Sequence, residues 1–148
     1  MKTIISAAFV SITLLAGAAA QAQETPAGLW RTISDVTGKQ KSLVRITENN
    51  GVYQGKIEKL FREPGEEPNP LCEKCEGELK GKPALGMVIL TGIRKDGADY
   101  GRGKILDPND GKVYNSKLTL IEGGKKMNMR GYIGMPMLGR TQVWIREE

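Results

Sequence analysis

The feature that most constrains the fold is the two-residue period of apolar side chains along most of the chain. Val44 and Ile46 fall on one side of a segment whose intervening positions are polar, and Tyr53 and Ile57 do the same in the next segment. Alternation of this kind is typical of strands that bury one face. The turn signal Asn49-Asn50-Gly51 stands between these two segments and suits a tight hairpin. After the N-terminal stretch, no segment has both helix-capping residues and apolar side chains at the spacing of a helix. The sequence therefore predicts an all-β fold.

About eight such strands follow one another at the spacing expected of a small barrel or sandwich. Consecutive hairpin turns favour a single antiparallel up-and-down β-barrel over a Greek-key sandwich. The first strand carries Trp30 and the last carries Trp144. We expect these two strands to be hydrogen-bonded to each other, which closes the barrel and removes its free edges. Trp30 is expected to lie buried near one end.

A long segment at about 61–84 interrupts the strand pattern. It contains four prolines, six glutamates and both cysteines, so it predicts a surface loop rather than an interior strand. The run at 85–91 that follows is the most apolar one after the N-terminal segment. We expect it to form a strand buried on both faces, which requires the preceding loop or a partner to cover its outer side.

The N-terminal residues predict export. Lys2 precedes an apolar stretch, and Ala20-Gln21-Ala22 has the pattern of a signal-peptidase cleavage site. We therefore predict a signal peptide at 1–22 and a single barrel domain at 23–148, located in the periplasm or outside the cell. The apolar stretch is short for a bilayer span, so the mature protein is not expected to span a membrane.

The charge of the mature chain does not favour nucleic acid as a partner. Cleavage removes Lys2 and lowers the net charge from +5 to +4. This charge is small and is spread evenly among the strands, whereas nucleic-acid binding proteins concentrate basic residues on one face.

Catalysis has little support in the sequence. The chain contains no histidine, which removes the usual general base near neutral pH and the commonest metal ligand. We predict no catalytic residue, no metal and no cofactor. The clustered glutamates at 63–78 are best interpreted as a solvated surface. An enzyme that uses carboxylates or the cysteine pair remains an alternative.

Cys72 and Cys75 form the sharpest local motif, with two residues between them. In an oxidising compartment such a pair is expected to form a structural disulfide. A redox-active pair would need a lowered thiol pKa, usually from a helix N-terminus, and none is predicted here. A metal site would need two further ligands. The disulfide is the favoured interpretation, with redox and metal-binding roles left open.

Several strings resemble the bacterial domain-of-unknown-function family 2147 across nearly the whole mature chain. They are Gly28-Leu29-Trp30, Tyr53-Gln54-Gly55-Lys56-Ile57, Asn69-Pro70, Gly86-Met87-Val88-Ile89-Leu90-Thr91-Gly92, Gly103-Lys104-Ile105-Leu106-Asp107-Pro108, Gly111-Lys112-Val113-Tyr114, Gly131-Tyr132-Ile133-Gly134 and Trp144-Ile145-Arg146. The resemblance implies an exported, lipocalin-like (calycin-type) barrel with an internal cavity.

The string Gly28-Leu29-Trp30 is also similar to the lipocalin signature. In lipocalins this tryptophan plugs the closed end of the barrel, and a late arginine lies over it. The resemblance implies that Arg140 or Arg146 occupies that place here.

Six side chains are predicted to face the interior and to bind a ligand: Tyr53, Ile57, Met87, Ile89, Met127 and Met129. Aromatic and thioether groups adapt to varied apolar surfaces. These features favour a non-enzymatic binding protein for a small apolar or amphipathic molecule. Because an eight-stranded barrel can instead fill its interior with side chains, the alternative is a filled barrel that contacts another protein of the cell envelope.

Overall fold

The computed structural model describes residues 25–148. Within them eight strands form one closed barrel in which each strand is antiparallel to both neighbours. The strands are β1 (Gly28–Ile33), β2 (Gln40–Asn49), β3 (Val52–Leu60), β4 (Val88–Asp96), β5 (Asp99–Leu106), β6 (Val113–Ile121), β7 (Lys126–Tyr132) and β8 (Arg140–Arg146). The described residues contain no α-helix, only single 3-10 turns at Gly77–Leu79, Glu122–Gly124 and Pro136–Leu138.

The first and last strands close the barrel as predicted. Trp30 on β1 lies opposite Arg146 on β8, and Thr32 lies opposite Trp144. Every other pairing joins strands that are consecutive in the chain. The hairpin between β2 and β3 turns at Asn50 and Gly51, both of which have positive φ. The sequence prediction of an up-and-down barrel is confirmed.

The meander gives the barrel two different ends. Short connections at 50–51, 97–98 and 122–125 lie at one end together with the start of β1 and the end of β8, and we call this the closed end. The other end, called the open end, carries the four remaining loops, at 34–39, 61–87, 107–112 and 133–139. The longest loop therefore lies at the open end, where it can shape an entrance.

The strand predicted at 85–91 was wrong at its start, and burial on both faces is limited to Ile89 and Leu90. Leu85 is 44% exposed, and β4 begins only at Val88. The amide of Met87 donates to the carbonyl of Ala84, and Gly86 has a φ of 85°, so this segment forms a turn. Ile89 and Leu90 are consecutive and both buried because the register between β3 and β4 is irregular there.

The hydrophobic core fills the half of the barrel next to the closed end. Trp30, Val44, Leu118 and Met127 have no exposed surface. The rings of Tyr53 and Tyr100 meet edge to face with their centroids 5.4 Å apart. Close packing of this kind leaves no room for a ligand at this level of the barrel.

The predicted signal peptide at 1–22 lies outside the described residues. Among residues 25–148, no helix has the length and apolar character needed to cross a bilayer.

Candidate functional site

The closed end is sealed by Trp30 and Arg146. The guanidinium carbon of Arg146 lies 4.2 Å from the centre of the Trp30 ring, a favourable cation–π arrangement. Arg146 also donates to the carbonyls of Gly124, Ala27 and Thr25, each at 2.7 Å. Burial lowers the pKa of Arg146 from its ordinary value. The indole of Trp30 donates to the carbonyl of Pro26 at 2.8 Å, so the plug is tied to the chain on several sides.

Gly28 permits the close approach of the C-terminal strand to this plug. A Cβ atom at position 28 would lie 2.5 Å from the carbonyl oxygen of Glu148 and 2.7 Å from Nη1 of Arg146. The φ of Gly28 is 138°, a value that side chains rarely allow. A side chain at position 28 would therefore clash with the C-terminal segment and with the arginine that covers Trp30.

Arg140 lies at the opposite end of β8 from Arg146. Its Nε and Nη2 atoms donate to Oδ2 of Asp35 at 2.9 and 2.6 Å. Of the two arginines that the resemblance offered as partners of Trp30, the structure therefore places Arg146 against the ring and Arg140 at the open end.

The half of the barrel next to the open end is hollow. Its cavity opens between the four loops of that end and, together with the space that these loops enclose, has a volume of about 900 Å³. Trp144, Ile57 and Met129 are among its lining residues. A cavity of several hundred cubic ångströms is the size that proteins use for small organic ligands.

One wall of the cavity is apolar. It is formed by side chains of β3, β4 and β5 together with the residues that follow β3. Its members are Ile57, Leu60, Phe61, Ile89, Ile105 and Leu106. A ligand's hydrocarbon part would be removed from water on this side, which is favourable in proportion to the area buried.

The facing wall, formed by β1, β2 and β8, is polar. The hydroxyl oxygens of Thr32 and Ser42 lie 2.8 Å apart, and both residues are buried. Oε1 of Gln142 accepts a hydrogen bond from the indole nitrogen of Trp144 at 3.3 Å. Hydroxyls and a side-chain amide can each donate to or accept from a ligand's polar group.

The polar wall continues to the rim through Asp35. Gln142 donates through Nε2 to Oδ1 of Asp35 at 3.4 Å, while Arg140 holds the other carboxylate oxygen. Burial opposes ionisation of Asp35, but the hydrogen bonds and charge of Arg140 outweigh it and hold the pKa of Asp35 below its ordinary value. Across the rim, the hydrogen bond from Tyr114 to Asp110 at 2.7 Å raises the pKa of Tyr114, and burial adds to the shift.

The six predicted lining residues divide into two sets. Ile57, Ile89 and Met129 line the cavity. Tyr53, Met87 and Met127 are buried but are not among the lining residues. Tyr53 packs against Tyr100 in the filled half, and burial raises its pKa.

The polar wall was missed in the sequence analysis. Thr32 comes two residues after Trp30 and Gln142 two residues before Trp144, so each shares a strand face with a buried tryptophan. A polar residue at an inward position of a strand was the available signal.

The long loop between β3 and β4 folds on itself at the entrance of the cavity. The amide of Cys72 donates to the carbonyl of Lys82, and that of Ala84 donates to Pro70. Cys72 and Cys75 are joined by a disulfide and are both buried. The predicted disulfide is therefore present, and its loop contributes to the lining through residues such as Leu71 and Lys74.

The carboxylates of this loop are dispersed on the surface. All six glutamates at 63–78 are exposed. Glu63 pairs with Lys39 and Glu66 with Arg62. Across residues 25–148, no group of three or more acidic or cysteine side chains is arranged to hold a metal ion.

Comparisons with known proteins agree with this architecture. The sequence profile of a family described as an uncharacterized protein conserved in bacteria, DUF2147, matches residues 28–146. The structure is similar to that of protein HP1028 from Helicobacter pylori, which is described as a member of the lipocalin family. That likeness has a TM-score of 0.69 and 22% sequence identity, and it covers 82% of each chain. No curated protein sequence gives a significant match.

Proposed function

The chain belongs to the bacterial DUF2147 family, and from that premise we propose that it is an exported, non-enzymatic binding protein that holds a small amphipathic molecule in the open half of its barrel. The lipocalin-like fold supports a binding role, since barrels of this size accommodate one small ligand. The observation that carries the proposal is the pair of unlike walls that face each other across one cavity.

The two unlike walls support one orientation of the proposed ligand. Its apolar part lies against Ile57, Ile89 and Ile105, and its polar group lies toward Thr32, Ser42 and Gln142. Binding of this kind needs no chemical step, because the polar groups of the wall fix orientation while apolar burial supplies affinity.

Export is part of the proposal and is supported by the sequence pattern at 1–22. The intact mass of the protein recovered from a periplasmic extract tests it. We expect a chain that begins near Gln23 and carries the disulfide. Recovery of the protein in the cytoplasm with Met1 or its N-terminal segment retained would contradict export.

Binding is tested by titration with N-phenyl-1-naphthylamine, whose fluorescence rises in an apolar site, and by its displacement with alcohols and acids of varied chain length. Ile89→Trp places a large ring in the cavity, and we expect it to weaken probe binding about tenfold or more. Val143→Trp is the matched control, because Val143 lies on the outer face of β8 and is 40% exposed.

The two variants must first be shown to fold, by circular dichroism and thermal unfolding. Ile105→Trp serves as a second blocking variant from the neighbouring strand β5. Equal probe affinity in the wild-type protein and in both folded blocking variants would contradict binding in the cavity.

The polar wall is tested separately. Thr32→Val with Ser42→Ala removes two facing hydroxyls and leaves the apolar wall intact. We expect affinity for a long-chain alcohol to fall about three- to tenfold, the effect of losing one or two hydrogen bonds. Affinity for the naphthylamine probe is expected to change less, and an equal loss for both ligands would contradict the assigned orientation.

A further inference from the structure

Exposed apolar side chains are concentrated at the open end. Among the large apolar residues in the described part of the chain that are exposed, only Val143 lies on the side of the barrel. The others lie in the four loops of the open end or at the first residue of β6: Val36, Leu71, Leu79, Leu85, Val113, Ile133, Met135, Met137 and Leu138. Clusters of this kind mark surfaces that contact another apolar phase.

The densest part of this cluster is the segment 133–138, which we call the apolar loop. It connects β7 and β8 and contains no charged residue. Met135 is 57% exposed, and Met137 and Leu138 are each 73% exposed. Val36 extends the same side of the rim, because Asp35 next to it is held by Arg140 at the start of β8.

Three consecutive backbone carbonyls of the apolar loop, those of residues 135–137, are hydrogen-bonded within the chain. Arg130 donates through Nε to the carbonyl of Pro136 at 2.6 Å and through Nη2 to that of Met137 at 3.2 Å. The carbonyl of Met135 accepts from the amide of Leu138 at 3.0 Å. Internal satisfaction of this kind is what a segment needs if it is to enter an apolar environment without leaving polar groups unpaired.

Charge separates the two sides of the open end. Residues 130–140 and the adjoining loop at 34–39 together include three basic residues and one acidic residue, Asp35, which is paired with Arg140. The long loop at 61–87 lies across the entrance and contains six glutamates against four basic residues. An anionic lipid surface would attract the first side and repel the second, so it favours a tilted approach led by the apolar loop.

We propose that the open end docks on an anionic phospholipid bilayer by inserting the apolar loop into its interface. Ile133 and Leu138 also line the cavity, so the docked barrel presents a continuous apolar surface from the lipid to the binding site. This inference rests on the proposed function, and it assigns the bilayer as the phase with which the cavity exchanges its amphipathic ligand. The contact is peripheral, as for other amphipathic segments that lie in the membrane interface.

Flotation of the purified protein with vesicles of phosphatidylethanolamine and phosphatidylglycerol tests the proposal. We expect the wild-type protein to float with these vesicles and to float less with vesicles of phosphatidylcholine alone. Met135→Ser with Met137→Ser is expected to reduce partitioning about tenfold or more, because two large apolar groups no longer leave water. Neither residue lines the cavity.

Leu79→Ser is the matched control, since Leu79 is 40% exposed on the long acidic loop. It should float as the wild-type protein does. Failure of the wild-type protein to float, or equal flotation of the double variant, would overturn the proposal. A dimer in gel filtration that the double variant dissociates, without any flotation, would identify a second copy of the chain as the partner and overturn it as well.

Probe titration in vesicle-free solution separates this proposal from the binding function. The double variant should bind N-phenyl-1-naphthylamine with wild-type affinity while it loses flotation. Flotation of a wild-type protein that binds no probe would leave the docking surface intact and contradict the proposed binding function instead.

Discussion

Trp30 illustrates how much of the closed end depends on single side chains. Its ring is fully buried, its indole nitrogen is hydrogen-bonded to Pro26, and the guanidinium of Arg146 covers one face. Arg146 in turn donates to three backbone carbonyls, two from the segment before β1 and one from the turn before β7. These two residues join β1, β8 and the turn before β7 into one sealed end.

Trp30→Ala is expected to lower the free energy of unfolding by about 3–5 kcal/mol, because the removed ring leaves a cavity in a packed core. Urea denaturation of the purified protein measures the loss. Val143→Ala, on the outer face of β8, should cost less than about 1 kcal/mol. A loss for Trp30→Ala as small as that of the control would contradict the role of Trp30 as the plug.

The ion pair of Asp35 and Arg140 predicts a pH dependence at the open end. Since the pKa of Asp35 in the folded protein lies below its ordinary value of 3.8, the pair stabilises the fold above that pH. This contribution is lost as the pH falls through the lowered pKa. The pair is partly exposed, so Asp35→Asn should reduce stability at neutral pH by at most about 1 kcal/mol.

The stability difference between wild type and Asp35→Asn should shrink toward zero in acid. Urea denaturation at a series of pH values measures it. Arg140→Met should reproduce the loss at neutral pH, and the double variant should lose no more than either single variant. A difference that stays constant from neutral pH into acid would show that the charge of Asp35 is not its cause.

Different interactions determine the strands and the loops of this barrel. Alternating apolar residues and tight turns specify the strands, and the closed-end connections contain only two to four residues. The open-end loops depend instead on contacts between distant segments. Gly111 in the loop before β6 packs against the backbone of Lys74 and Cys75, so the disulfide segment is held to the far side of the entrance.

Gly111→Ala is expected to disturb that contact. A Cβ atom at Gly111 would overlap the carbonyl of Lys74 and lie 2.7 Å from the amide nitrogen of Cys75. Gly97→Ala is the matched control, because Gly97 has a similar positive φ but nothing within 4 Å of its position. Both variants incur backbone strain of about 1 kcal/mol.

The extra loss in Gly111→Ala, measured by thermal unfolding, should be about 1–3 kcal/mol, the usual effect of overpacking. Faster hydrogen exchange at 71–84 should accompany it. Equal losses in the two alanine variants would contradict the packing of these loops.

The strand order and barrel closure could be predicted from the sequence because a two-residue period and short turns leave few alternatives. The period and the turns do not predict that the interior is divided into a filled half and a hollow half. Tyr53 and Ile57 share a face of β3, but they are separated by about 13 Å along the strand. One therefore lies in the filled half and the other in the cavity.

The alternation of side chains along a strand also explains why the sequence did not distinguish Arg140 from Arg146 as the partner of Trp30. They stand six residues apart on β8, an even number, so both lie on its inner face. Only the direction of β8 relative to Trp30 decides which arginine reaches the plug. β4 begins late because residues 84–87 form a turn. The apolar run in the sequence gives no indication of that turn.

At the scale of the whole molecule, the barrel combines a filled half that provides stability with a hollow half that is available to a ligand. The closed half contains most of the fully buried side chains of the described residues. Because the closed half stabilises the domain, the open half can contain polar groups and a cavity. Its four loops combine the cavity entrance, the disulfide and the exposed apolar residues at one end.

Native mass spectrometry of the protein purified without detergent from its own cells tests the central claim most directly. We predict a wild-type chain that retains a non-covalently bound small molecule, the same molecule on Val143→Trp, and none on Ile89→Trp. A wild-type spectrum that contains only the mass of the bare chain, together with no response to N-phenyl-1-naphthylamine, would contradict the claim that this cavity binds a ligand.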